Sequence, residues 1–224
     1  MNPIAWLLDL LYPPKCPFCH CILEHSRKGL CPGCEEKLPW LYGEEGRREV
    51  DFTKGCFSPL RYKDAVREAV HHYKFSPTPA YGRPLGKILK ECVRDYPEIQ
   101  VDMITWTPLS RKRRRERGFD QAELLARSLG EELDLPVMLT LQKIRHTQRQ
   151  SSLDEESQRR ANAKGAYRMH PQANVRGKRI LLVDDVVTSG STLEECAAVL
   201  RMAEAECIWC VTLAQAGKKD GKKS

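Results

Sequence analysis

The sequence predicts an α/β protein with a mostly parallel sheet and a small cysteine-rich module at its N-terminus. Two observations carry this expectation. Strand-like and helix-like segments alternate through residues 50–216, and four of the ten cysteines fall in two Cys-x-x-Cys pairs before residue 35. Alternating elements imply crossover connections and a parallel sheet with helices on both faces. A chain of 224 residues has room for one such domain and a small appendage.

These signals divide the chain into three parts. We expect a helix and the cysteine-rich module at residues 1–45, the main domain at residues 50–216, and a solvated basic tail at residues 217–224. The helix should span residues 3–11, and the polar stretch 43–54 is typical of a linker.

The elements expected in the main domain follow from hydrophobic periodicity and turn signals. They are a strand at 55–62, helices at 64–73 and 82–95, a strand at 101–107, a helix at 119–130, strand-like segments at 137–145, a strand at 179–183, a helix at 191–203 and a strand at 207–214.

Composition and charge limit the class of protein. Hydrophobic residues make up 41% of the chain and charged residues 30%, which is typical of a folded globular protein. The sequence contains neither an export signal nor an apolar run of about 20 residues, so we expect a cytoplasmic protein without membrane insertion. The net charge of +7 indicates anionic partners such as phosphates or nucleic acid.

The two cysteine pairs predict a structural zinc site. Their spacing supplies four thiolates for a closed tetrahedral ion, whereas a redox Cys-x-x-Cys would need one pair on a helix. His20, Cys21 and His25 lie between the pairs and are expected to be bystanders. The predicted zinc ligands are Cys16, Cys19, Cys31 and Cys34.

The segment from Ile180 to Thr192 is the strongest functional signal. A buried-type strand runs into Asp184 and Asp185, where open α/β sheets place ligands. A hydroxyl- and glycine-rich turn then opens a helix, so its amide groups would converge on an anion such as phosphate. Solvated acids followed by an ordinary helix cap are the alternative. The expected binding residues are Asp184, Asp185, Val186, Val187, Thr188, Ser189, Gly190, Ser191 and Thr192.

A second loop, rich in arginine, follows the strand at 101–107. Arginine pairs bidentately with phosphate oxygens, so this loop is a candidate clamp for pyrophosphate. The alternatives are a solvated helix face and a nonspecific nucleic-acid patch. We assign Pro108, Leu109, Ser110, Arg111 and Lys112 to the clamp, and Arg113, Arg114, Arg115 and Arg117 to contacts with DNA.

The segment from Ile180 to Thr192 resembles the signature of type I phosphoribosyltransferases, which bind phosphoribosyl pyrophosphate. The resemblance implies that Asp184 and Asp185 contact the ribose hydroxyls as the catalytic residues and that Thr188 to Thr192 hold the 5-phosphate. It also implies a sheet of the type I phosphoribosyltransferase kind, and a Mg²⁺ ion that bridges the sugar and the pyrophosphate.

Further motifs resemble the competence protein ComF family, which joins a double zinc ribbon to a phosphoribosyltransferase-like domain. They are Leu38-Pro-Trp-Leu41, His72-Tyr-Lys-Phe75, Thr107-Pro-Leu-Ser110, Glu116-Arg-Gly-Phe-Asp-Gln-Ala-Glu123, Gln150-Ser-Ser-Leu153 and Arg159-Arg-Ala-Asn-Ala-Lys-Gly-Ala-Tyr167. Asp120 departs from the family's more frequent Asn, and the segment 153–162 is one residue longer than the pattern. Residues 142–167 are expected to be either a mobile hood or a surface loop.

Two functions remain open. The first is binding of phosphoribosyl pyrophosphate, and a catalytic protein would transfer the phosphoribosyl group to a nitrogen nucleophile. The second is a non-catalytic adaptor for DNA uptake that binds single-stranded DNA; the ComF resemblance implies a DNA-uptake helicase and recombination proteins as its partners.

Overall fold

The computed structural model describes residues 15–23, 29–75, 81–145 and 164–217. The predicted helix at 3–11, nearly all of the basic tail and all of residues 146–163 lie outside these residues. Within the described part of the chain, no helix is long and apolar enough to cross a bilayer.

The described residues form a six-stranded sheet and a separate two-stranded one. The main sheet contains β1 (Arg47–Arg48), β2 (Cys56–Phe57), β3 (Leu60–Arg61), β4 (Met103–Trp106), β7 (Arg179–Val187) and β8 (Cys207–Gln215). Strands β5 (Leu141–Lys143) and β6 (Tyr167–Met169) make an antiparallel hairpin. The helices are α1 (Pro32–Lys37), α2 (Asp64–Phe75), α3 (Gly82–Arg94), α4 (Arg111–Arg117), α5 (Gln121–Leu133) and α6 (Ser191–Met202).

The order of the strands is β1-β2-β8-β7-β4, with β3 also paired to β8. All of these pairs are parallel except β1 with β2. Trp106 on β4 and Val211 on β8 are both in register with Val183 on β7. Because the three central strands run in one direction, the loops that follow them meet at one edge of the sheet, which we call the carboxyl edge.

The sheet separates two hydrophobic layers, and β7 contributes alternately to both. Leu181 and Val183 lie in the first layer, while Ile180 and Leu182 lie in the second, as the period of two in a strand requires. The first layer includes residues of α2, α3 and α5, and the second includes residues of α6. Four residues of the cysteine-rich segment also pack into the first layer: Cys16, Leu23, Leu30 and Leu38.

Two sequence expectations are corrected by these elements. The predicted strand at 55–62 is two short strands, because Pro59 between them has no amide hydrogen for the ladder. The stretch 43–54 is more than a linker, since Gly43–Gly46 forms a 3₁₀-helix and Arg47–Arg48 adds an edge strand.

The basic run is a third correction, because it forms helix α4 and not a loop. Ser110 accepts a hydrogen bond from the amide of Arg113 at the start of α4. Gly118 ends the helix in the left-handed conformation at φ 80°. Arginine and lysine are good helix formers, so caps at both ends stabilise even this short segment.

We predict that Gly86 is required for the close approach of α3 to α5. A Cβ atom added at Gly86 would lie 2.6 Å from the Cβ atom of Ser128. Gly86→Leu should therefore lower the free energy of unfolding by about 2 kcal/mol or more, as measured by urea denaturation. Glu91→Leu, at an exposed position of the same helix, is the control and should change it by less than about 0.5 kcal/mol. A Gly86→Leu variant as stable as the control would contradict this account of the packing.

Candidate functional site

The two predicted acids lie within β7 and not after it. The strand continues past its predicted end at residue 183 as far as Val187. It does so because β8 offers parallel partners up to Gln215. Consecutive strand residues point to opposite faces, so Asp184 belongs to the face of the second layer and Asp185 to the face of the first. The acids are adjacent in sequence but are surrounded by different side chains.

Asp185 forms an ion pair with Lys74, at the C-terminal end of α2. The distance from Lys74 Nζ to Asp185 Oδ2 is 2.9 Å, and the two side chains are only 24% and 14% exposed. Burial alone would lower the pKa of Lys74, but the charge and the hydrogen bond of Asp185 outweigh it and raise that pKa. Lys74 was not among the predicted site residues, although it lies in His72-Tyr-Lys-Phe75, one of the segments that resemble the ComF family.

Among the described residues, no cation lies within ion-pair distance of Asp184. One of its oxygens accepts a hydrogen bond from the amide of Asp185 at 2.8 Å, and the Thr107 side chain donates a second. Burial, followed by repulsion from Asp185, raises the pKa of Asp184 to about 7, although the two hydrogen bonds and the charge of Lys74 oppose this. With this pKa the carboxyl is partly protonated at neutral pH, and a bound cation would favour its charged form.

The turn after β7 has the shape of an anion cradle. Gly190 has φ 89°, and α6 begins at the next residue. The hydroxyl oxygens of Ser189 and Ser191 are 2.9 Å apart. The free amide groups at the start of a helix, together with its dipole, attract anions. The turn identified from the sequence therefore places a left-handed glycine directly before the start of a helix, and its binding of phosphate stays a prediction.

Arg48 of the edge strand β1 fixes this turn to the sheet. Its guanidinium donates hydrogen bonds to the carbonyl oxygens of Thr188 and of Ala216, which follows β8. Arg48 lies in the stretch that the sequence predicted to be a linker. No sequence signal distinguished it from the other charged residues there.

The loop between β4 and α4 lies beside the acid pair. Trp106 is in register with Val183, so Thr107 follows at the level of Asp184. The amide of Leu109 donates a hydrogen bond of 2.7 Å to Asp120, which also caps α5. Asp120 is only 3% exposed, and burial raises its pKa to about 6. Asp120, which departs from the family pattern, thus stabilises the conformation of the loop between β4 and α4.

Helix α4 divides the basic run between two environments. Arg114 forms an ion pair with Glu123 of α5 at 3.2 Å, and Arg117 donates to the side chain of Gln121 at 2.7 Å. Arg115 is exposed, and Arg113 is partly buried. Arg114 and Arg117, which we assigned to contacts with DNA, are therefore paired within the protein.

The four predicted zinc ligands lie together. The sulfur atoms of Cys16, Cys19, Cys31 and Cys34 are all within 4.8 Å of one another. Four thiolates at about 2.3 Å from one ion would be separated by about 4 Å, so the cluster fits a tetrahedral zinc ion. His20 is outside the cluster, and its Nδ1 atom lies 2.9 Å from the hydroxyl oxygen of Tyr81. The cysteine cluster and the comparisons that follow support structural zinc.

Two family models match the chain. Residues 116–224 match the phosphoribosyl transferase domain, and residues 7–45 match the double zinc ribbon domain. The first match contains the acid pair and the turn that follows it, and the second contains the four clustered cysteines.

Full-length relatives and solved structures are also similar to the chain. Competence protein F of Haemophilus influenzae is 30% identical over 224 residues, which cover 90% of this chain and 97% of that protein. The DNA utilization protein YhgH of Salmonella typhimurium is 33% identical over 233 residues, covering 90% of this chain and 98% of that protein. A structure of glutamine phosphoribosylpyrophosphate amidotransferase from B. subtilis has 21% identity and a TM-score of 0.42, over 63% of this chain and 30% of that one.

We predict that zinc depends on the four clustered cysteines alone. Cys34→Ser should release the metal, because a tetrahedral site that loses one thiolate binds zinc much more weakly. Cys21→Ser is the matched control, since Cys21 lies between the pairs but outside the cluster. Zinc content of the purified proteins would be measured by atomic emission. Equal zinc in both variants would contradict the assignment.

We also predict that the charge of Asp184 destabilises the folded protein at neutral and alkaline pH. Folding raises this pKa from 3.8 to about 7, so the destabilisation is absent below pH 4, grows as pH rises and is complete above pH 7. Asp184→Asn should therefore raise the free energy of unfolding by about 2 kcal/mol at pH 8 and much less at pH 4.5.

Urea denaturation at the two pH values tests this prediction. Asp185→Asn is the control, and it should lower stability at pH 8 because it leaves the buried Lys74 without its carboxylate partner. An Asp184→Asn variant that is less stable than wild type at pH 8 would show that the carboxylate is compensated in the folded state.

Proposed function

The chain belongs to the family of competence protein F and the DNA utilization protein YhgH, and on this premise we propose that it binds phosphoribosyl pyrophosphate with Mg²⁺ at the carboxyl edge. The observation that carries the proposal is the continuous unit of buried strand, acid pair, glycine turn and helix from Arg179 to Met202. In this unit, Thr188 to Thr192 hold the 5-phosphate, and Asp184 and Asp185 accept hydrogen bonds from the ribose hydroxyls.

The electrostatics of the acid pair support a cation in the complex. Mg²⁺ is coordinated by oxygen and is usually held by one or two carboxylates together with substrate phosphates and water. Asp184 meets this requirement, because it is enclosed and is repelled by Asp185. Mg²⁺ would neutralise the charge that the sugar, the pyrophosphate and the carboxylate bring together.

The loop Thr107–Ser110 is the proposed site of the pyrophosphate. It follows β4 at the level of the acid pair, its shape is fixed by Asp120, and it leads directly into the basic helix α4. Pro108, Leu109 and Ser110 supply the loop, while Arg111 and Lys112 supply positive charge. Arginine and lysine stabilise the charge of a departing pyrophosphate if the group is transferred.

The names of the two relatives support a place in competence and DNA use. A protein that binds a ribose phosphate in that setting would either transfer the phosphoribosyl group or respond to the metabolite. Direct binding of single-stranded DNA through α4 is less favoured, because Arg114 and Arg117 are paired with α5. A DNA-uptake helicase and recombination proteins remain the partners that we expect from the family.

Calorimetric titration with phosphoribosyl pyrophosphate and Mg²⁺ tests the proposal. We expect wild type to bind, and the double variant Asp184→Asn, Asp185→Asn to lose at least about tenfold in affinity, or 1.4 kcal/mol. Glu98→Gln is the control, since this exposed carboxylate precedes β4 at the opposite edge of the sheet. Equal affinity of the double variant and wild type would rule out the acid pair as the binding residues.

Release of pyrophosphate in the presence of nucleobases and amines then separates transfer from binding. A protein that binds the ligand and releases no pyrophosphate with any acceptor would be a sensor of the metabolite.

A further inference from the structure

The buried side chain of Gln121 lies at the start of α5 and contacts both α2 and α4. The residue is only 2% exposed, so the polar atoms of its amide require partners inside the protein. Arg117 of α4 donates a hydrogen bond of 2.7 Å to Oε1 of Gln121. Nε2 of Gln121 donates in turn to the main-chain carbonyl oxygen of Lys74 at 3.3 Å. One amide group therefore joins the ends of two helices.

The two neighbours of this amide fix its orientation. A guanidinium group can only donate hydrogen bonds, so the amide must turn its oxygen toward Arg117. A carbonyl oxygen can only accept, so the amide must turn its nitrogen toward Lys74. A carboxylate of the same shape would satisfy the guanidinium but would set an oxygen against the carbonyl, and an apolar side chain would satisfy neither. The position therefore requires an amide.

The carbonyl group of Lys74 belongs to the open end of α2. The last four carbonyl groups of a helix have no partner within it, and α2 ends at Phe75. Gln121 supplies a donor to one of them. A second hydrogen bond runs the other way, because the Tyr73 hydroxyl donates to the main-chain carbonyl of Gln121 at 3.1 Å. Hydrogen bonds in both directions thus fix the last turn of α2 to the start of α5.

The place of this last turn determines how Lys74 meets Asp185. The ammonium group pairs with Asp185 at 2.9 Å, and both side chains are mostly buried. Because the stem of a lysine is flexible, the position of its main chain decides where the ammonium group can reach. Asp185 is one of the two acids that we propose to bind the ribose hydroxyls. A shift of the helix end would therefore reach the ligand through this ion pair.

The residue before Gln121 holds another part of the proposed site. Asp120 accepts a hydrogen bond of 2.7 Å from the amide of Leu109, in the loop that we propose to bind pyrophosphate. Two consecutive residues at the start of α5 thus contact the loop after β4 and the end of α2. The start of α5 is therefore a common support for two sides of the ligand site.

We propose that Gln121 is a positioning residue of this site. It acts through Lys74, whose ion pair sets the place of the Asp185 carboxylate for the ribose hydroxyls. The inference rests on the proposed function and adds to it a residue that contacts none of the reacting groups. It also gives a role to the glutamine of Glu116-Arg-Gly-Phe-Asp-Gln-Ala-Glu123, one of the segments that resemble the ComF family.

A double-mutant cycle between Gln121 and Lys74 tests the inference. Calorimetry with Mg²⁺ would measure the affinity for phosphoribosyl pyrophosphate when Gln121→Met is made in wild type and in Lys74→Met. We expect a loss of about fivefold or more in wild type and of less than about twofold in Lys74→Met, because the amide acts only through the ammonium group. A purely structural role would lower stability and leave the affinity of the folded protein unchanged.

Gln100→Met is the matched control. Nε2 of Gln100 donates to the main-chain carbonyl of Pro97 at 2.9 Å, which is the same kind of contact at an exposed position before β4. Its loss should change the affinity by less than about twofold, since the two sites are independent. Should Gln121→Met fail to fold, Gln121→Glu keeps the volume and the acceptor for Arg117 but removes the donor, and the same loss is expected.

The outcomes separate this inference from the proposed function. Wild type that binds no phosphoribosyl pyrophosphate would overturn both. Wild type that binds it, with Gln121→Met either equal to wild type or equally harmful in the two backgrounds, would overturn only the role of Gln121. Should Lys74→Met bind too weakly to measure, the contrast is made between ligands. Gln121→Met should then weaken ribose 5-phosphate as much as phosphoribosyl pyrophosphate and leave inorganic pyrophosphate unaffected, and an equal loss for all three would contradict the proposal.

Discussion

Two carboxyl groups on consecutive residues of a central strand must be enclosed without leaving an uncompensated charge, and most of the described site follows from this constraint. Because the strand sends Asp184 and Asp185 to opposite faces, no single cation can neutralise both. On one face, α2 ends where Lys74 reaches Asp185. On the other face, Asp184 depends on hydrogen bonds and keeps a raised pKa. The acid pair is therefore left in need of a further positive charge.

The cysteine cluster solves a different problem, that of a segment too small to bury a core of its own. Its cysteines are placed to share one ion, while Leu23, Leu30 and Leu38 pack into the first hydrophobic layer. The segment also touches the helices that lead to the site. His20 contacts Tyr81 before α3, and its ring centroid lies 4.9 Å from that of His72 on α2. Two residues after His72 comes Lys74, so one helix meets both the metal module and the acid pair.

The predicted fold and the predicted family are both confirmed by the matched domains and relatives. The roles of the individual site residues and the boundaries of the domains stay predictions. The basic run illustrates how composition can mislead. Its neighbours in the fold separate its residues, so that Arg114 and Arg117 pair with α5 while Arg115 is exposed. A count of positive charges contains none of this information.

By itself, the sequence determined what depends on neighbours in the chain. The order of strand, acids, glycine turn and helix, the spacing of the cysteines, and the alternation of elements are local patterns, because hydrogen bonding and side-chain direction repeat over a few residues. Only the tertiary structure decided which distant groups meet these patterns. Lys74 and Arg48 come from two separate elements, and each is an ordinary basic residue in its own segment. Their importance arises from the parallel pairing of β4, β7 and β8, which brings loops far apart in sequence to one edge, where burial makes each charge need a partner.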